Sequence, residues 1–357
     1  MVGSLRTLSG SWRGLGRFLT NAQPGFQGAS FLKKAPNQQT DQDNMKLSIC
    51  TDVMADYSFT EMLDHCLALG VEGIEMTSGG WSAAPHFRAD ELLADAGIRR
   101  QKLKEIEARG LRIAALNCSG NPLDPGALGK KHRTEIAQTV TLAGDIGVKK
   151  IVTMSGLPEA APGDTVPNWL VYTKSWPAEM PERDRYQWEE RAYPYWHELV
   201  KHARHVGVEK IALENFSAML VWNPETLMRL RHEVGDMVGM NLDPSHLFWM
   251  GACPIAVARK LGPAIHHVHG KDTRLEQGLV DINGLLETKE ITDVANRAWN
   301  YVAVGAGHDL QWWKAFFSVV GMMGYDDWVS LEMEDFTMSA EAGIRSSIAA
   351  LRETIIR

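Results

Sequence analysis

From Met45 onward, short apolar runs rich in β-branched residues alternate with longer amphipathic stretches. A short apolar run bounded by glycine or polar residues is typical of a buried strand, and an apolar position every three to four residues is typical of a surface helix. The pattern predicts eight strands, over residues 46–51, 73–76, 111–117, 149–154, 210–214, 238–242, 265–269 and 328–332.

The stretches between these strands predict helices. They are expected over residues 58–69, 131–146, 188–206, 224–234, 254–261, 309–323 and 340–355, with one further helical stretch that ends near residue 109. Several helix–strand junctions share one device, a glycine that directly follows the helix, as at Gly70 and Gly207. Glycine suits this position because the residue after a helix often takes a left-handed conformation.

Repeated strand–helix units imply a parallel sheet with right-handed crossovers, and eight such units close into a barrel. The alternative, an open doubly wound sheet, needs a glycine-rich turn after the first strand, and residues 51–56 contain no glycine. The predicted fold is therefore α/β, a single (β/α)8 TIM barrel over residues 45–357. Insertions follow the fourth and seventh strands, at 156–184 and 271–305, and are expected to form a lid or a subunit interface above the rim.

Residues 1–44 differ in composition from the rest of the chain. No acidic residue precedes Asp41, whereas five basic residues do. An arginine-rich, acid-poor leader is typical of an organellar transit peptide. An extension that precedes the true start is the favoured interpretation, because Met45 opens a clean strand. In either case we expect this segment to be disordered and to lie outside the fold.

The composition of the chain disfavours some classes of binding partner. The 357 residues carry a net charge of −7, which disfavours nucleic acid as a partner. The four cysteines are scattered without a CxxC pair, as expected in a reducing compartment, and we expect the protein to be cytoplasmic. No apolar run approaches the roughly 18 residues that a membrane span needs. A small-molecule sugar or glycoside is the expected partner.

Four consecutive predicted strands end in a side chain that can bind a metal ion. These are Glu214, Asp243, His269 and Glu332, and in a barrel such strand ends meet at one rim. Three carboxylates at one rim would repel one another and take up protons, and a divalent cation removes that conflict. The oxygen and nitrogen ligands suit Mn²⁺, Mg²⁺, Co²⁺ or Zn²⁺, with Mn²⁺ favoured.

The sequence around these strand ends resembles the sugar phosphate isomerase/epimerase family, the xylose-isomerase-like barrels that include ketose 3-epimerases, inosose dehydratases and endonuclease IV. The resemblance covers residues 45 to the end and is carried by residues 212–215, 241–246, 267–272, 304–310 and 324–335. It implies that Glu214, Asp243, His269 and Glu332 bind one catalytic metal ion. It also implies that His246 and Lys271 face the substrate.

Two departures narrow the function within that family. Endonuclease IV-like nucleases need further histidines after the third and fourth strands, and residues 117–121 and 155–156 contain none, which disfavours DNA repair. A phosphate group would need an arginine cluster near the last loops, where Glu334 and Asp335 are acidic and Arg274 stands alone. An unphosphorylated sugar, keto-sugar or glycoside is favoured.

The leading hypothesis is an isomerase or epimerase that removes a proton next to a carbonyl. The metal would polarise the oxygen and stabilise the enediolate, and Glu214 and Glu332 would act as the base and acid while also touching the metal. The alternative is a lyase or dehydratase that loses a β-substituent after the same first step. Enzymes of this kind that cleave 3-keto-C-glycosides work with a second, smaller subunit, so a homo-oligomer or a small partner subunit is expected. A binding barrel without activity would not need the four ligands.

Further residues are candidates for substrate binding. His246 either binds a substrate hydroxyl or orients Asp243 through a hydrogen bond. Lys271 either neutralises the enediolate or pairs with Asp272 or Glu334. Three more residues, Glu75, His308 and Trp249, are also candidates for substrate binding.

Glu75 ends the second predicted strand and is a candidate carboxylate at the rim. His308 either caps a helix or reaches the site. His267 shares a strand face with His269 one layer deeper, so it is expected to be a core histidine. Trp249 is one of four tryptophans on loops after strands, of which one or two are expected to stack on substrate; the others are Trp81, Trp169 and Trp176.

Overall fold

Eight parallel strands close into one barrel. The computed structural model describes residues 45–171 and 176–356, so the expectation for residues 1–44 lies outside the described residues. The barrel strands are β1 Lys46–Cys50, β2 Gly73–Thr77, β3 Arg112–Asn117, β4 Lys150–Thr153, β5 Lys210–Glu214, β6 Val238–Leu242, β7 Ile265–Gly270 and β10 Trp328–Leu331. Around the barrel they follow the order β1-β10-β7-β6-β5-β4-β3-β2, which confirms the predicted TIM barrel.

Helices lie between the strands and cover the barrel. They are α1 Phe59–Leu69, α2 Ala89–Ala94, α3 Ala96–Glu107, α4 Ala127–Ile146, α5 Met180–Arg185, α6 Tyr193–Val206, α7 Pro224–Val234, α8 Pro244–Trp249, α9 Pro254–Leu261, α10 Gln277–Asn283, α11 Leu310–Met322 and α12 Ala340–Thr354. In the described part of the chain, none of them has both the length and the apolar character required to cross a bilayer.

Local sequence explains where these elements begin and end. Every predicted strand boundary lies within one residue of the observed boundary. Gly70 and Gly207 end α1 and α6 with φ of 67° and 83°, the left-handed conformation that the junction pattern predicted. Ser58 starts α1 with a reciprocal pair of hydrogen bonds to Glu61, which satisfies two amides at the helix start.

The second insertion contains an element that the sequence pattern did not reveal. Strands β8 Asp272–Leu275 and β9 Trp299–Val302 pair antiparallel, with Asp272 opposite Val302. The hairpin carries a small apolar core of its own, in which Trp249 packs against Trp299 and Tyr301. This core ties the hairpin to α8, the helix after β6, and fixes Tyr301 beside the barrel mouth.

Candidate metal centre

The structure brings the four predicted ligands together at the C-terminal mouth of the barrel. Glu214 ends β5, Asp243 follows β6, His269 lies in β7 and Glu332 follows β10. One donor atom from each of the four lies within 4.8 Å of the others. Glu214, Asp243 and His269 are buried, and Glu332 is partly exposed towards the mouth.

Asp243 provides the clearest indication that a cation fits here. It is the N-cap of α8, and its Oδ1 accepts a hydrogen bond from the amide of Ser245 at 2.7 Å. Its Oδ2 is buried and accepts no hydrogen bond from any described residue, although Nε2 of His246 lies 3.3 Å away. Burial of a charged carboxylate oxygen without a hydrogen-bond donor costs free energy, and a bound divalent cation would offset that cost.

The electrostatics of the cluster agree with that interpretation. Burial, together with the charge of Glu332, raises the pKa of Glu214 to about 8, and burial also raises the pKa of Asp243. Burial alone would raise the pKa of Glu332 as well, but Lys271 and His269 hold it below its usual value. The protein alone therefore does not stabilise all three carboxylates in their charged form. Carboxylate oxygens with one imidazole nitrogen suit a divalent ion such as Mn²⁺, Mg²⁺, Co²⁺ or Zn²⁺.

His269 is oriented by a carboxylate beneath the ligands. Its Nε2 lies 3.2 Å from Oε1 of Glu75, and its Nδ1 lies 3.1 Å from Oε2 of Glu332. A carboxylate can only accept, so in the absence of a metal ion each ring nitrogen donates to its carboxylate. A cation that replaces the hydrogen on Nδ1 would leave the Glu75 contact to hold the other hydrogen on Nε2. Glu75 was predicted to lie at the rim, whereas the structure buries it one layer below. It does not line the cleft of about 210 Å³ that lies at the barrel mouth above the ligands.

A buried polar network surrounds Glu75. Asn117 donates to it at 2.7 Å, and Nε2 of His267 lies 2.8 Å away. Burial, reinforced by the charge of Lys150, lowers the pKa of His267 to about 4. His267 also contacts the hydroxyl of Ser330 at 2.9 Å. It therefore lies in the barrel core, as expected from its position two residues before His269.

His246 contacts two of the ligands. Its Nε2 lies 2.8 Å from Oε1 of Glu214 and 3.3 Å from Oδ2 of Asp243. Its Nδ1 lies 2.9 Å from the hydroxyl of Tyr301. His246 is buried and does not line the cleft, which favours orientation of the ligands over direct contact with a substrate hydroxyl. Tyr301 was not found by sequence reasoning, because its place depends on the pairing of β8 with β9.

Lys271 lies between two carboxylates at the mouth. Its Nζ lies 3.1 Å from Glu332 and 2.6 Å from Glu334, and 4.4 Å from the centre of the Tyr301 ring. Although burial lowers the pKa of Lys271, the two glutamates raise it well above its usual value. A positive charge is therefore favoured in the cleft lining, and it pairs with Glu332 and Glu334 rather than with Asp272.

Two further candidates lie away from the cleft. His308 contacts Asp272 at 2.8 Å and stacks on Phe248 with ring centres 3.7 Å apart. Trp249 stacks on Trp299 at 4.6 Å in the hairpin core. Neither residue lines the cleft, so the structure gives both a packing role.

Two of the four ligands, Glu214 and Glu332, line this cleft of about 210 Å³, called the metal cleft below. Its far wall carries polar side chains that sequence reasoning missed, although they end or follow strands at the same rim: Asp52, Thr77, Ser82, Asn117 and Ser119. Trp81 and Phe216 add aromatic surface. Among the described lining residues, Lys271 is the single cation, against four carboxylates. The lining suits an uncharged ligand rich in hydroxyl groups.

Comparison with known proteins identifies the family of this fold. Residues 63–354 match the family of xylose isomerase-like TIM barrels. This chain belongs to that family. This chain is 62% identical to the uncharacterized protein YfiH of Bacillus subtilis (strain 168) over 311 residues. Those residues cover 87% of this chain and 99% of that protein.

Two solved structures share the fold at low sequence identity. The probable 3-DHS dehydratase AsbF of Bacillus anthracis is 18% identical, with a TM-score of 0.59, over 86% of this chain and 99% of that one. D-psicose 3-epimerase of Clostridium cellulolyticum H10, solved with D-tagatose, is 16% identical, with a TM-score of 0.54. The match covers 87% of this chain and 98% of that one. The fold is thus found in both epimerases and dehydratases.

Proposed function

We propose that this chain is a divalent-metal-dependent isomerase or epimerase of an unphosphorylated sugar or keto-sugar. The observation that carries the proposal is the four-ligand cluster, two of whose carboxylates, Glu214 and Glu332, also line the metal cleft. They extend from β5 and β10, which are separated in the barrel by β6 and β7. A sugar in the cleft would therefore meet carboxylates from two sides.

In the proposed proton transfer, the metal ligands, the two glutamates of the lining and Lys271 have separate roles. A metal ion held by Glu214, Asp243, His269 and Glu332 would supply a Lewis acid for the substrate oxygen. Of the two glutamates in the lining, one removes the proton next to the carbonyl and the other returns a proton on the opposite face. Lys271 holds a positive charge close to the oxygens on which negative charge develops.

The charge of the metal cleft supports a neutral substrate. A phosphate or carboxylate would meet Asp52 and Glu334 in addition to the ligands, and Lys271 is already paired with Glu332 and Glu334. Hydroxyl groups, by contrast, can donate to these carboxylates and to the polar wall opposite. The presence of epimerases and dehydratases in the same fold supports a sugar-modifying enzyme.

A second candidate, elimination from the same substrate class, is favoured by one chain of contacts. Tyr301 contacts His246, and His246 contacts Glu214, at 2.9 and 2.8 Å. Such a chain can deliver a proton to a departing hydroxyl or glycosidic oxygen after the first proton has been removed. The activity would then be that of a dehydratase or lyase, and we would expect a lyase of this kind to work with a second, smaller subunit.

The test combines metal analysis with solvent exchange. The full chain is loaded with Mn²⁺, its metal content is measured, and keto-sugars and 3-keto-glycosides are incubated with it in D₂O. Deuterium in recovered, isomerised sugar supports the isomerase, and a released aglycone or dehydrated product supports elimination. Exchange is expected to fall by at least about 100-fold in Glu214→Gln and Glu332→Gln.

The matched control is Glu159→Gln. Glu159 is a buried glutamate that pairs with Arg191 and does not line the cleft, so metal content and exchange should match the unchanged protein. Metal content separates loss of the ion from loss of the proton transfer. Normal exchange in both cleft variants, with metal bound, would show that neither glutamate moves the proton.

A further inference from the structure

Trp81 lies between two cavities. On one side is the metal cleft, and on the other is a cavity of about 340 Å³, called the second cleft below. The two cavities share Gly79, Trp81 and Ser82 as a common wall. The indole is 49% exposed, which leaves aromatic surface open at this boundary.

The backbone around Trp81 is held tightly although its side chain is exposed. The amide of Trp81 donates to the carbonyl of Ser119 at 2.8 Å, and the amide of Gly80 donates to Glu135 at 2.9 Å. Gly80 has a φ of +84°, and a Cβ there would lie 2.1 Å from the carbonyl oxygen of Ser119, so only glycine fits. Lys131 closes the turn by donating to the carbonyl of Gly80 at 3.1 Å.

A rigid, exposed indole at the mouth of a polar cleft suits the face of a sugar ring. The apolar C–H face of a pyranose stacks on an aromatic ring. Because the loop is already ordered, little conformational freedom is lost when a ligand stacks on it. A hydrophobic core residue would be buried, and this indole is not.

The chemistry of the second cleft suits a neutral, hydroxyl-rich group. Its described lining includes two cations, Arg88 and Lys131, balanced by two anions, Asp90 and Glu135. The remaining wall is formed by small residues and Gln138. Charge balance gives no preference for phosphate or carboxylate, and the planar carboxylate, guanidinium and amide groups can hydrogen-bond neighbouring hydroxyls.

We propose that the second cleft binds a second sugar ring, which stacks on Trp81 while the first ring lies at the metal centre. The inference rests on the proposed function and narrows its substrate to a keto-sugar that is part of a disaccharide or longer glycoside. Size supports it as well. The metal cleft of 210 Å³ is smaller than the roughly 300–1,000 Å³ of typical small-molecule sites, and the two cavities together fall within that range.

The experiment compares three substrates in the deuterium-exchange assay with the Mn²⁺-loaded full chain: a 3-keto-hexose, its methyl glycoside and its glucosyl glycoside. We expect kcat/KM to be highest for the glucosyl glycoside, through a lower KM. Trp81→Ala should lower kcat/KM for the glucosyl glycoside by about 2- to 12-fold more than for the methyl glycoside, the size of one aromatic stacking contact. Trp81→Phe should restore part of that loss.

Two variants test the second cleft alone. Arg88 and Gln138 line it without lining the metal cleft, so Arg88→Leu and Gln138→Ala should raise KM for the glucosyl glycoside and leave the other two substrates unchanged. Phe336→Ala is the matched control, since Phe336 is 47% exposed and lines neither cleft. It should leave all three substrates unchanged.

Several outcomes would overturn the inference while the proposed function stands. Equal kcat/KM for the three substrates, equal losses for all of them in Trp81→Ala, or a stronger preference for a phenyl glycoside would each exclude a second sugar ring. If no substrate exchanges deuterium, the proposed function fails. Saturation-transfer NMR with cellobiose then tests whether the second cleft binds a sugar ring. Transfer that disappears in Trp81→Ala and Arg88→Leu supports the inference, and no transfer to the unchanged protein overturns it.

Discussion

Replacement of Glu75 by glutamine tests how the metal ligand His269 is oriented. Glu75 is fully buried and accepts from Asn117, while Nε2 of His269 lies 3.2 Å from its Oε1. Glutamine has nearly the same volume but only one accepting oxygen. If Asn117 keeps that oxygen, the amide NH₂ faces the N–H groups of His269 and His267. Nε2 of His269 then lies 3.2 Å from an oxygen that has lost its charge and 3.3 Å from the new NH₂ group, so its hydrogen is held on Nε2 less strongly. A hydrogen that moves to Nδ1 occupies the atom that should bind the metal.

The expected magnitude follows from this conflict. Loss of a carboxylate that orients a metal-binding histidine weakens metal affinity by about 10- to 100-fold, which is about 1.4–2.8 kcal/mol. At a metal concentration 100 times the dissociation constant of the unchanged protein, binding stabilises the fold by about 2.7 kcal/mol. In Glu75→Gln the same concentration should contribute only about 0.4 to 1.4 kcal/mol.

The assay is a Mn²⁺ titration against a competing chelator, with thermal unfolding followed in parallel. Glu159→Gln serves as the control because it removes a buried carboxylate away from the site. It should keep the metal affinity of the unchanged protein. If Glu75→Gln binds Mn²⁺ as tightly as the control, the contact beneath His269 does not fix its orientation and the reasoning is refuted.

Three further predictions address other contacts. Tyr301→Phe removes only the hydroxyl 2.9 Å from His246, so metal content should be unchanged while deuterium exchange falls by about 3- to 10-fold; an unchanged rate would show that Tyr301 only packs. Burial alone would raise the pKa of Asp327, but its ion pair with buried Lys150 holds that pKa at about 2, below the ordinary 3.8. The pair therefore stabilises the fold above pH 4, and its contribution is lost as the pH falls towards 2. Because burial also lowers the pKa of Lys150, part of this gain is offset, and Asp327→Asn should cost about 1–2 kcal/mol in urea unfolding at pH 7; a midpoint that is unchanged at pH 7 would contradict it. Removal of metal by a chelator should abolish exchange and lower the melting temperature, and re-addition of Mn²⁺ should restore both; exchange that survives chelation would exclude a metal-dependent reaction.

The sequence predicted the barrel and the ligand cluster for one shared reason. Apolar runs mark the strands, and a parallel barrel brings the residues that follow them to a single rim, so Glu214, Asp243, His269 and Glu332 could be placed without knowing any packing. Glu75 illustrates the limit of that reasoning. The observed β2 extends to Thr77, one residue beyond the prediction, and Glu75 pairs with Cys50 and Ala115 inside the barrel wall.

Features that depend on long-range packing could not be predicted in this way. Tyr301 reaches His246 only because β8 and β9 pair across a long insertion, and the same hairpin buries Trp249 against Trp299. Trp81 was one of four tryptophans on loops, and the sequence offered no means to choose among them. Its place at the mouth depends on the close approach of its glycine turn to the loop after β3.

The most direct test of the metal centre is a crystal structure of the Mn²⁺-loaded protein with anomalous diffraction measured at the manganese edge. The account predicts one anomalous peak, bound by carboxylate oxygens of Glu214, Asp243 and Glu332 and by Nδ1 of His269 at about 2.0–2.3 Å. A peak bound through Nε2 of His269, or no peak among these four side chains, would contradict it.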